Sequence, residues 1–364
     1  MSTPSDLAEA TAAEFAGATG TPLVDVSHLT VRYPGARRRT PVTAVDDVSF
    51  SVGYGRTVGV VGESGSGKSS IGAALLGLVP VADGTIRYDG EDITHATRRD
   101  RRRLARGMQI VFQDPFGSMN PARTVGATLG EALRFNLGLG EAETRARLVE
   151  AVREVGLPEA ALDRYPGQFS GGQRQRLAIA RALAVKPAFI VCDEPVSALD
   201  LSVQAQVVNL LMRLKQTHGL GYLFISHDLT IVRHLSDEIV VLFAGRVVEQ
   251  GPAAIVGERP THPYTRALLA AAPVPDPDRQ AERRLRRTAG PRPATGIAVD
   301  GCAFSERCPL VVDRCRAERP ELLPAPGGVA VACHRSDRSG MLGANGDVTP
   351  GPDDDAGQER TEQG

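Results

Sequence analysis

The sequence contains no tryptophan, and aromatic residues make up only 4% of its 364 positions. No apolar run reaches the roughly 18 residues that a membrane-spanning helix requires, so the sequence predicts no span. The N-terminus lacks both the basic start and the apolar stretch of a secretory signal, which predicts an intracellular chain. Lys and Arg (42) nearly balance Asp and Glu (43). This balance argues against a generally basic nucleic-acid-binding surface.

What is present favours a folded protein of two or three structural units. The hydrophobic fraction of 42% excludes disorder of the whole chain, and the 39 glycines suit many tight turns. We expect a disordered N-terminus (1–21), a main domain (22–260), a smaller C-terminal extension (261–338) that follows a Pro-rich linker near 273, and a disordered tail (339–364).

The main domain alternates short β-branched runs with helical patterns. Val58–Val61 and Tyr222–Ile225 are typical of buried strands, and Glu141–Val155 is typical of a helix. This alternation predicts an α/β fold with a largely parallel sheet covered on both faces. Residues 23–61 also alternate apolar and polar side chains, which predicts a smaller antiparallel sheet beside it.

A phosphate-binding loop follows the strand that ends at Val61. Residues 62–69 read G-E-S-G-S-G-K-S, the G-x-x-x-x-G-K-S pattern, between a strand and a helix. Glycines let backbone N–H groups turn toward phosphate oxygens, and the helix N-terminus adds its positive dipole end. Lys68 is expected to contact the β- and γ-phosphates of a nucleotide, and the Ser69 hydroxyl to bind Mg²⁺.

Two carboxylates end a second apolar run, Phe189–Cys192. Ligands gather at the carboxyl ends of parallel strands, so Asp193 and Glu194 are expected near the phosphate loop. Asp193 suits a water-mediated contact to Mg²⁺, and Glu194 suits a general base that polarises the attacking water.

A second glycine-rich helix start precedes that strand. Residues 169–176 read F-S-G-G-Q-R-Q-R, and Ser170 can cap the helix that follows. This segment resembles the signature of ABC-type ATPases. The resemblance implies a head-to-tail dimer in which the signature of one subunit closes on ATP held by the other. Phe169 stands where leucine is commoner, and we expect it to be a packing position.

Four further segments match the same family in order. Tyr33 corresponds to the ring stacked on adenine, and Gln113 to the residue that senses Mg²⁺ and the attacking water and contacts the membrane subunit. Residues 197–200 (S-A-L-D) match the loop that crosses the dimer interface, and His227 matches the histidine that holds the γ-phosphate. The resemblance implies the following site. Its residues are Tyr33, Gly62, Glu63, Ser64, Gly65, Ser66, Gly67, Lys68, Ser69, Ser70, Gln113, Asp193, Glu194 and His227 for ATP, Mg²⁺ and hydrolysis, with Ser170, Gly171, Gly172, Gln173, Ser197, Ala198, Leu199 and Asp200 at the dimer interface.

The resemblance is closer to one branch of importers. Residues 108–115, 195–200 and 262–268 look like those of ATPases that energise oligopeptide or dipeptide import, a branch shared by nickel importers. It implies the P-loop ABC fold with a helical subdomain at about 114–180 and a position on the cytoplasmic face of the membrane. It also implies a second ATPase, commonly a paralogue, two permease subunits, and indirectly a solute-binding protein. The alternatives are a soluble ABC ATPase acting on ribosomes or DNA and a regulatory subunit with little turnover.

Four of the five cysteines lie together near the C-terminus. Cys302, Cys308, Cys315 and Cys333 have the spacing C-x₅-C-x₆-C-x₁₇-C, which is not that of common zinc sites. Four thiolates suit a 4Fe–4S cluster, with a zinc site, for which His334 is an alternative ligand, and unligated thiols as the two alternatives. In the related ATPases this extension sometimes carries an iron–sulfur cluster. The fifth, Cys192, is expected to be a small buried residue.

An arginine-rich run spans residues 98–106. Aromatic stacking partners are missing nearby in the sequence and the chain is neutral overall, so we expect the solvated face of a helix and no nucleic acid partner. A contact with an anionic membrane surface or a partner is the alternative.

Overall fold

The computed structural model describes residues 21–35, 41–114, 117, 119–271 and 300–336. The predicted linker and nearly all of the two predicted disordered ends therefore lie outside the described residues. Within the described parts of the chain, no helix has both the length and the apolar character needed to cross a membrane.

The described elements follow one another in the order typical of an α/β protein. The strands are β1 (Val24–Tyr33), β2 (Val42–Val52), β3 (Thr57–Val61), β4 (Asp83–Tyr88), β5 (Glu91–Asp92), β6 (Met108–Val111), β7 (Phe189–Asp193), β8 (Gly221–Ser226), β9 (Glu238–Phe243), β10 (Arg246–Pro252), β11 (Leu323–Ala325) and β12 (Val329–Val331). The helices are α1 (Lys68–Leu75), α2 (Arg98–Leu104), α3 (Val125–Ala132), α4 (Glu141–Glu154), α5 (Gly171–Leu183), α6 (Leu201–His218), α7 (Leu229–Leu235), α8 (Ala253–Glu258), α9 (Pro263–Ala271) and α10 (Asp313–Ala317).

Two sheets form the framework. The smaller is antiparallel with strand order β2-β1-β4-β5, and the larger has the order β11-β12-β10-β9-β3-β8-β7-β6. Strands β6, β7, β8, β3 and β9 run parallel to one another, whereas β10 pairs antiparallel with β9. The predicted mixed α/β architecture, with a separate antiparallel sheet, is confirmed.

The central strands of the large sheet lie in the core. Every residue of β3 and of β8 is buried, as expected for strands covered on both faces. Val61 pairs with Ser226, and Asp193 pairs with Ile225. The loops that follow β3, β7 and β8 therefore begin at one edge of the sheet.

The last part of the chain packs onto this same sheet. The β11–β12 hairpin continues the sheet beyond β10, where Glu249 pairs with Val331. The Glu249 carboxylate is buried and accepts hydrogen bonds from the N–H groups of Thr261 and His262 at 2.6 and 3.1 Å. Burial raises the pKa of Glu249 despite these bonds. This carboxylate anchors the chain just before α9.

The arginine-rich run forms α2, which begins at Thr97 with a capping box closed by Asp100. Most of its arginines are exposed, as predicted. Arg101 differs, since its guanidinium donates to the carbonyls of Leu75 and Ile93. Arg102 stacks on the ring of Phe135 at 4.3 Å, so the run has one aromatic partner that is distant in the sequence.

Candidate active site

The phosphate loop connects β3 to α1 and has a backbone that only glycine adopts easily. Gly67 caps α1 with a φ of 102°, and a Cβ placed on it would lie 2.3 Å from the carbonyl oxygen of Ala44. Gly65 also has a positive φ, of 83°. No side chain caps the start of α1. The first N–H groups of this helix are thus not taken by a capping side chain, which is the arrangement that favours an anion.

Lys68 lies beneath this loop and is almost fully buried. Its Nζ donates to the carbonyls of Gly62 and Glu63 at 2.8 and 2.9 Å. Burial lowers the pKa of Lys68, and the carboxylates of Glu194, Asp193 and Glu63 oppose that shift. The ammonium group is held inside the loop among acidic neighbours.

Ser69 and Asp193 meet across the carboxyl edge of the sheet. The Ser69 hydroxyl donates to Oδ1 of Asp193 at 2.9 Å. Burial raises the pKa of Asp193, the bond from Ser69 lowers it, and the neighbouring Glu194 raises it again. The two predicted Mg²⁺ partners are therefore in direct contact.

Glu194 and His227 face each other beside this pair. Nδ1 of His227 lies 3.4 Å from Oε2 of Glu194, whose side chain is only 17% exposed. Glu194 has a positive φ of 45°, and its N–H donates to the carbonyl of Ile225. A non-glycine residue in this backbone region is uncommon and marks a turn that aims the side chain. The structure thus brings Lys68, Ser69 and these two residues to one edge.

Tyr33 and Gln113 lie at the margin of the cluster. The Tyr33 hydroxyl donates to the Ser70 hydroxyl of α1 at 3.1 Å, which places the half-buried ring beside the phosphate loop. Gln113 is exposed two residues beyond β6, whose Val111 pairs with Cys192 of β7. The predicted contacts of Tyr33 to adenine and of Gln113 to Mg²⁺ stay predictions.

The predicted signature forms the start of α5. Ser170 and Gln173 close a capping box, in which each side chain accepts a hydrogen bond from the other residue's N–H. Ser170, Gly171 and Gln173 are exposed. Phe169 is 4% exposed, which confirms it as a packing position.

The predicted dimer loop, 197–200, lies between the Asp193–Glu194 pair and α6. The Ser197 hydroxyl donates to the carbonyl of Glu194 at 3.1 Å, so the loop is tied to that residue. Asp200 caps α6 by accepting from the N–H groups of Ser202 and Val203. The next side chain, Leu201, is 79% exposed.

Comparison with known proteins places this geometry in a family. Residues 45–197 match the ABC transporter family, and residues 248–315 match the oligopeptide/dipeptide transporter C-terminal region. A putative peptide import ATP-binding protein of Brucella ovis is 47% identical over 318 residues, which cover 87% of this chain and 99% of that protein. The chain belongs to the ABC transporter family, as an ATP-binding subunit.

Other relatives support the assignment of this chain as an ABC ATPase. The di/tripeptide transport ATP-binding protein DppF of Pseudomonas aeruginosa is 44% identical over 297 residues, covering 82% of this chain and 91% of that protein. Among solved structures, the dimeric ATP-binding cassette MJ0796, bound to ADP and phosphate after hydrolysis, is similar with a TM-score of 0.57 and 27% identity. That similarity covers 63% of this chain and 98% of the cassette.

The four C-terminal cysteines of the ABC ATPase are free thiols that lie near one another. Burial raises the pKa of Cys308 to about 11, and Cys333, Cys302 and Cys315 add to the rise. In the described ranges, no group of three or more His, Cys, Asp or Glu side chains is arranged to hold a metal ion. The iron–sulfur cluster and the zinc site therefore have no support here. Nε2 of His334 donates instead to the carbonyl of Glu318.

Cys192 differs from these four. It lies in β7 with no exposed surface, which confirms the prediction of a small core residue, and burial raises the pKa of its thiol far above the usual range.

Two residues that the sequence analysis did not assign to the site contact the phosphate loop. Tyr264 and Arg307 both bind Glu63. Residues 262–268 were noted for their resemblance to peptide-importer ATPases, but no local pattern links them to residue 63. Only the folded chain shows this contact, because about 200 residues separate the partners.

Proposed function

We propose that this ABC ATPase binds Mg-ATP and hydrolyses it at an interface with a second ATPase subunit, and that it thereby energises a membrane importer of oligopeptides or dipeptides. The observation that carries this proposal is the convergence of Lys68, Ser69, Asp193, Glu194 and His227 at one sheet edge.

The residues of the site suit Mg²⁺ and a triphosphate. Ser69 and Asp193 present adjacent oxygen donors, and Mg²⁺ is bound in proteins by one or two such groups together with substrate phosphates and water. When bound, Mg²⁺ supplies charge stabilisation to the transferring phosphoryl group. Lys68 supplies a cation at the start of α1, where the helix dipole and open N–H groups also favour phosphate oxygens.

Hydrolysis requires a base beside the γ-phosphate. Glu194 takes a proton from water while the water oxygen attacks the γ-phosphorus and the bond to the β-phosphate oxygen breaks, which gives ADP and phosphate. His227, 3.4 Å from Glu194, positions the water and the γ-phosphate. Gln113 completes the arrangement from the adjacent strand end.

The second half of the site comes from another ATPase subunit. The exposed start of α5 and the exposed Leu201 beside Asp200 form a surface that suits a partner. Residues 170–173 close on ATP held by that partner, and residues 197–200 cross the interface. The partner is a paralogue of this chain, and hydrolysis removes the phosphate that bridges the two subunits.

Transport requires permease subunits, which the chain meets at a groove beside Gln113. This groove has a volume of about 330 Å³. Its apolar lining includes Leu78, 61% exposed, and Phe112, 38% exposed. Each of the two ATPase subunits presents such a groove at the cytoplasmic face of the membrane, and a helix from one permease subunit fills it. Peptide as cargo rests on the named relatives and on the matching C-terminal region.

Replacing the general base tests the hydrolytic half of this proposal. In Glu194→Gln we expect hydrolysis to fall about 10²–10⁴-fold, the usual contribution of a general base, while ATP binding persists. ATP should then hold the subunits together as a stable pair, visible by size-exclusion chromatography.

The matched control is Glu258→Gln, because Glu258 is 60% exposed and pairs with Arg233 away from the site. Wild-type turnover in Glu194→Gln would remove Glu194 from the base role.

Cells lacking the chain should lose uptake of a labelled dipeptide, and unchanged uptake would refute the peptide cargo.

A further inference from the structure

Two residues of the C-terminal extension (261–338), Tyr264 and Arg307, hydrogen-bond to Glu63 of the phosphate loop. Nη1 and Nη2 of Arg307 donate to the two carboxylate oxygens of Glu63 at 3.0 and 2.7 Å. The hydroxyl of Tyr264 accepts the backbone N–H of Glu63 at 2.8 Å. Paired, charge-assisted bonds of this kind are both stronger and more directional than neutral ones. Glu63 is therefore held by its side chain and its backbone at once.

The surroundings of Arg307 fix its direction. Its guanidinium lies over the rings of Phe243 and Phe304, at 5.8 and 5.5 Å from their centroids, and its side chain is only 16% exposed. An arginine that is stacked and partly desolvated loses little side-chain freedom when it forms an ion pair. This contact is thus unlike an exposed surface salt bridge.

Tyr264 is equally constrained. It is fully buried, and its ring packs against Phe243 at 4.6 Å and Phe304 at 5.5 Å. Its N–H donates to Nδ1 of His262, and burial lowers the pKa of His262 to about 4, so the imidazole is neutral and able to accept. The hydroxyl of Tyr264 is therefore presented to the loop from a rigid position.

On the other side, Glu63 holds the lysine that is proposed to meet the phosphates. The Glu63 carbonyl accepts hydrogen bonds from Nζ of Lys68 at 2.9 Å and from the N–H of Ser66 at 3.1 Å. One residue thus joins Arg307 and Tyr264 to the inner surface of the phosphate loop.

We propose that Arg307 is a positioning residue for ATP binding: with Tyr264, it holds Glu63 so that the phosphate loop is already in its nucleotide-binding shape. The inference rests on the proposed function, and it gives the C-terminal segment a role at the nucleotide site. A loop ordered in advance binds more tightly because less freedom is lost on binding.

The test is an equilibrium titration of the full-length chain with a fluorescent ATP analogue (mant-ATP). Arg307→Gln should raise the dissociation constant about fivefold or more, the lower end of usual coupling between sites. In the assembled transporter, KM for ATP should rise while kcat at saturating ATP stays near the wild-type value. A merely structural defect would lower the fraction of active protein and kcat instead.

Partner variants show whether the ion pair itself is responsible. Glu63→Gln should weaken binding as Arg307→Gln does, and the double variant should be no weaker than either single one. The charge-reversed pair, Glu63→Arg with Arg307→Glu, should recover part of the affinity. Tyr264→Phe, which keeps the packed ring, should also weaken binding.

The matched control is Arg314→Gln, because Arg314 lies in the same C-terminal extension and pairs with Glu318, four residues along the chain, at 2.8 Å. It should bind as wild type does. Wild-type affinity in a folded Arg307→Gln, or additive effects in the double variant, would overturn the inference and leave the proposed function intact. If Arg307→Gln does not fold, unchanged affinity in Glu63→Gln overturns it. Failure of the wild-type chain to bind the analogue would overturn the proposed function and, with it, this inference.

Discussion

Helices α1 and α5 both begin at a glycine-rich segment, but the two helix starts differ in structure. Helix α1 begins after Gly67, with no side-chain cap, whereas α5 begins after Ser170 inside a complete capping box. The start of α1 therefore leaves its first N–H donors to an outside anion. The start of α5 already satisfies part of that need with its own side chains.

Their surroundings differ in the same sense. At the start of α1, Lys68 is buried and is hydrogen-bonded within the chain, and Ser69 contacts Asp193. The residues at the start of α5 are mostly exposed. A glycine-rich helix start is thus not a complete phosphate site by itself. The first is completed by residues of its own chain, and we propose that the second is completed by nucleotide on a partner.

The largest expected effect comes from removing the lysine at the start of α1, which tests whether the two helix starts differ in function. Lys68→Ala should weaken ATP binding to the chain about a hundredfold, because truncating one partner of a buried charge pair costs about 2–5 kcal/mol. Titration with mant-ATP measures it. Lys186→Ala is the control, since Lys186 is exposed and pairs with Glu150. An equal loss of ATP affinity in both variants would show that Lys68 has no special role at the start of α1, and would contradict the difference between the two helix starts.

The next largest effect concerns the start of α5. A Cβ on Gly171 would meet only Leu199, at an ordinary 3.5 Å, so the chain itself accommodates Gly171→Ala. We expect unchanged mant-ATP binding by the chain but hydrolysis reduced about tenfold in the assembled pair, because the methyl group displaces the partner's nucleotide. Gly167→Ala, which meets no atom within 4 Å, is the control. A loss of binding by the chain alone would mean that α5 acts within its own subunit.

The smallest effect tests the cap directly. Ser170→Ala should lower the free energy of unfolding by about 1 kcal/mol, the usual value of an N-cap serine. Urea denaturation of the purified chain measures it. The control is Ser51→Ala, because Ser51 is an exposed residue of β2 and lies away from any helix start. A stability equal to wild type in Ser170→Ala would show that the capping box contributes nothing.

The elements nearest the site were largely predictable. Buried parallel strands carry continuous apolar runs, as in Tyr222–Ile225 within β8, and the short length of such a run favours a strand over a helix. The predicted helix Glu141–Val155 corresponds to α4 within one residue. Helix α6 begins directly after Asp200, whose side chain caps it.

Contacts between distant residues were less predictable. The signature and the carboxylate pair were found because each is a compact motif of neighbouring residues. The bonds from Arg307 to Glu63 carry no such local signal. The presence of four cysteines in one short region suggested a metal site, but among the described residues those thiols are not arranged as one.

The sequence by itself determined the order of strands and helices, the glycine-dependent turn at Gly67 and the family to which the chain is similar. Each of these depends on residues a few positions apart, where side-chain size, periodicity and backbone freedom act directly. Only the tertiary structure decided that Ser69 reaches Asp193, that His227 faces Glu194, and that the C-terminal segment grips the phosphate loop through Glu63. Those contacts depend on how the parallel strands align and on which distant segments of the chain pack together. No local sequence pattern encodes such contacts.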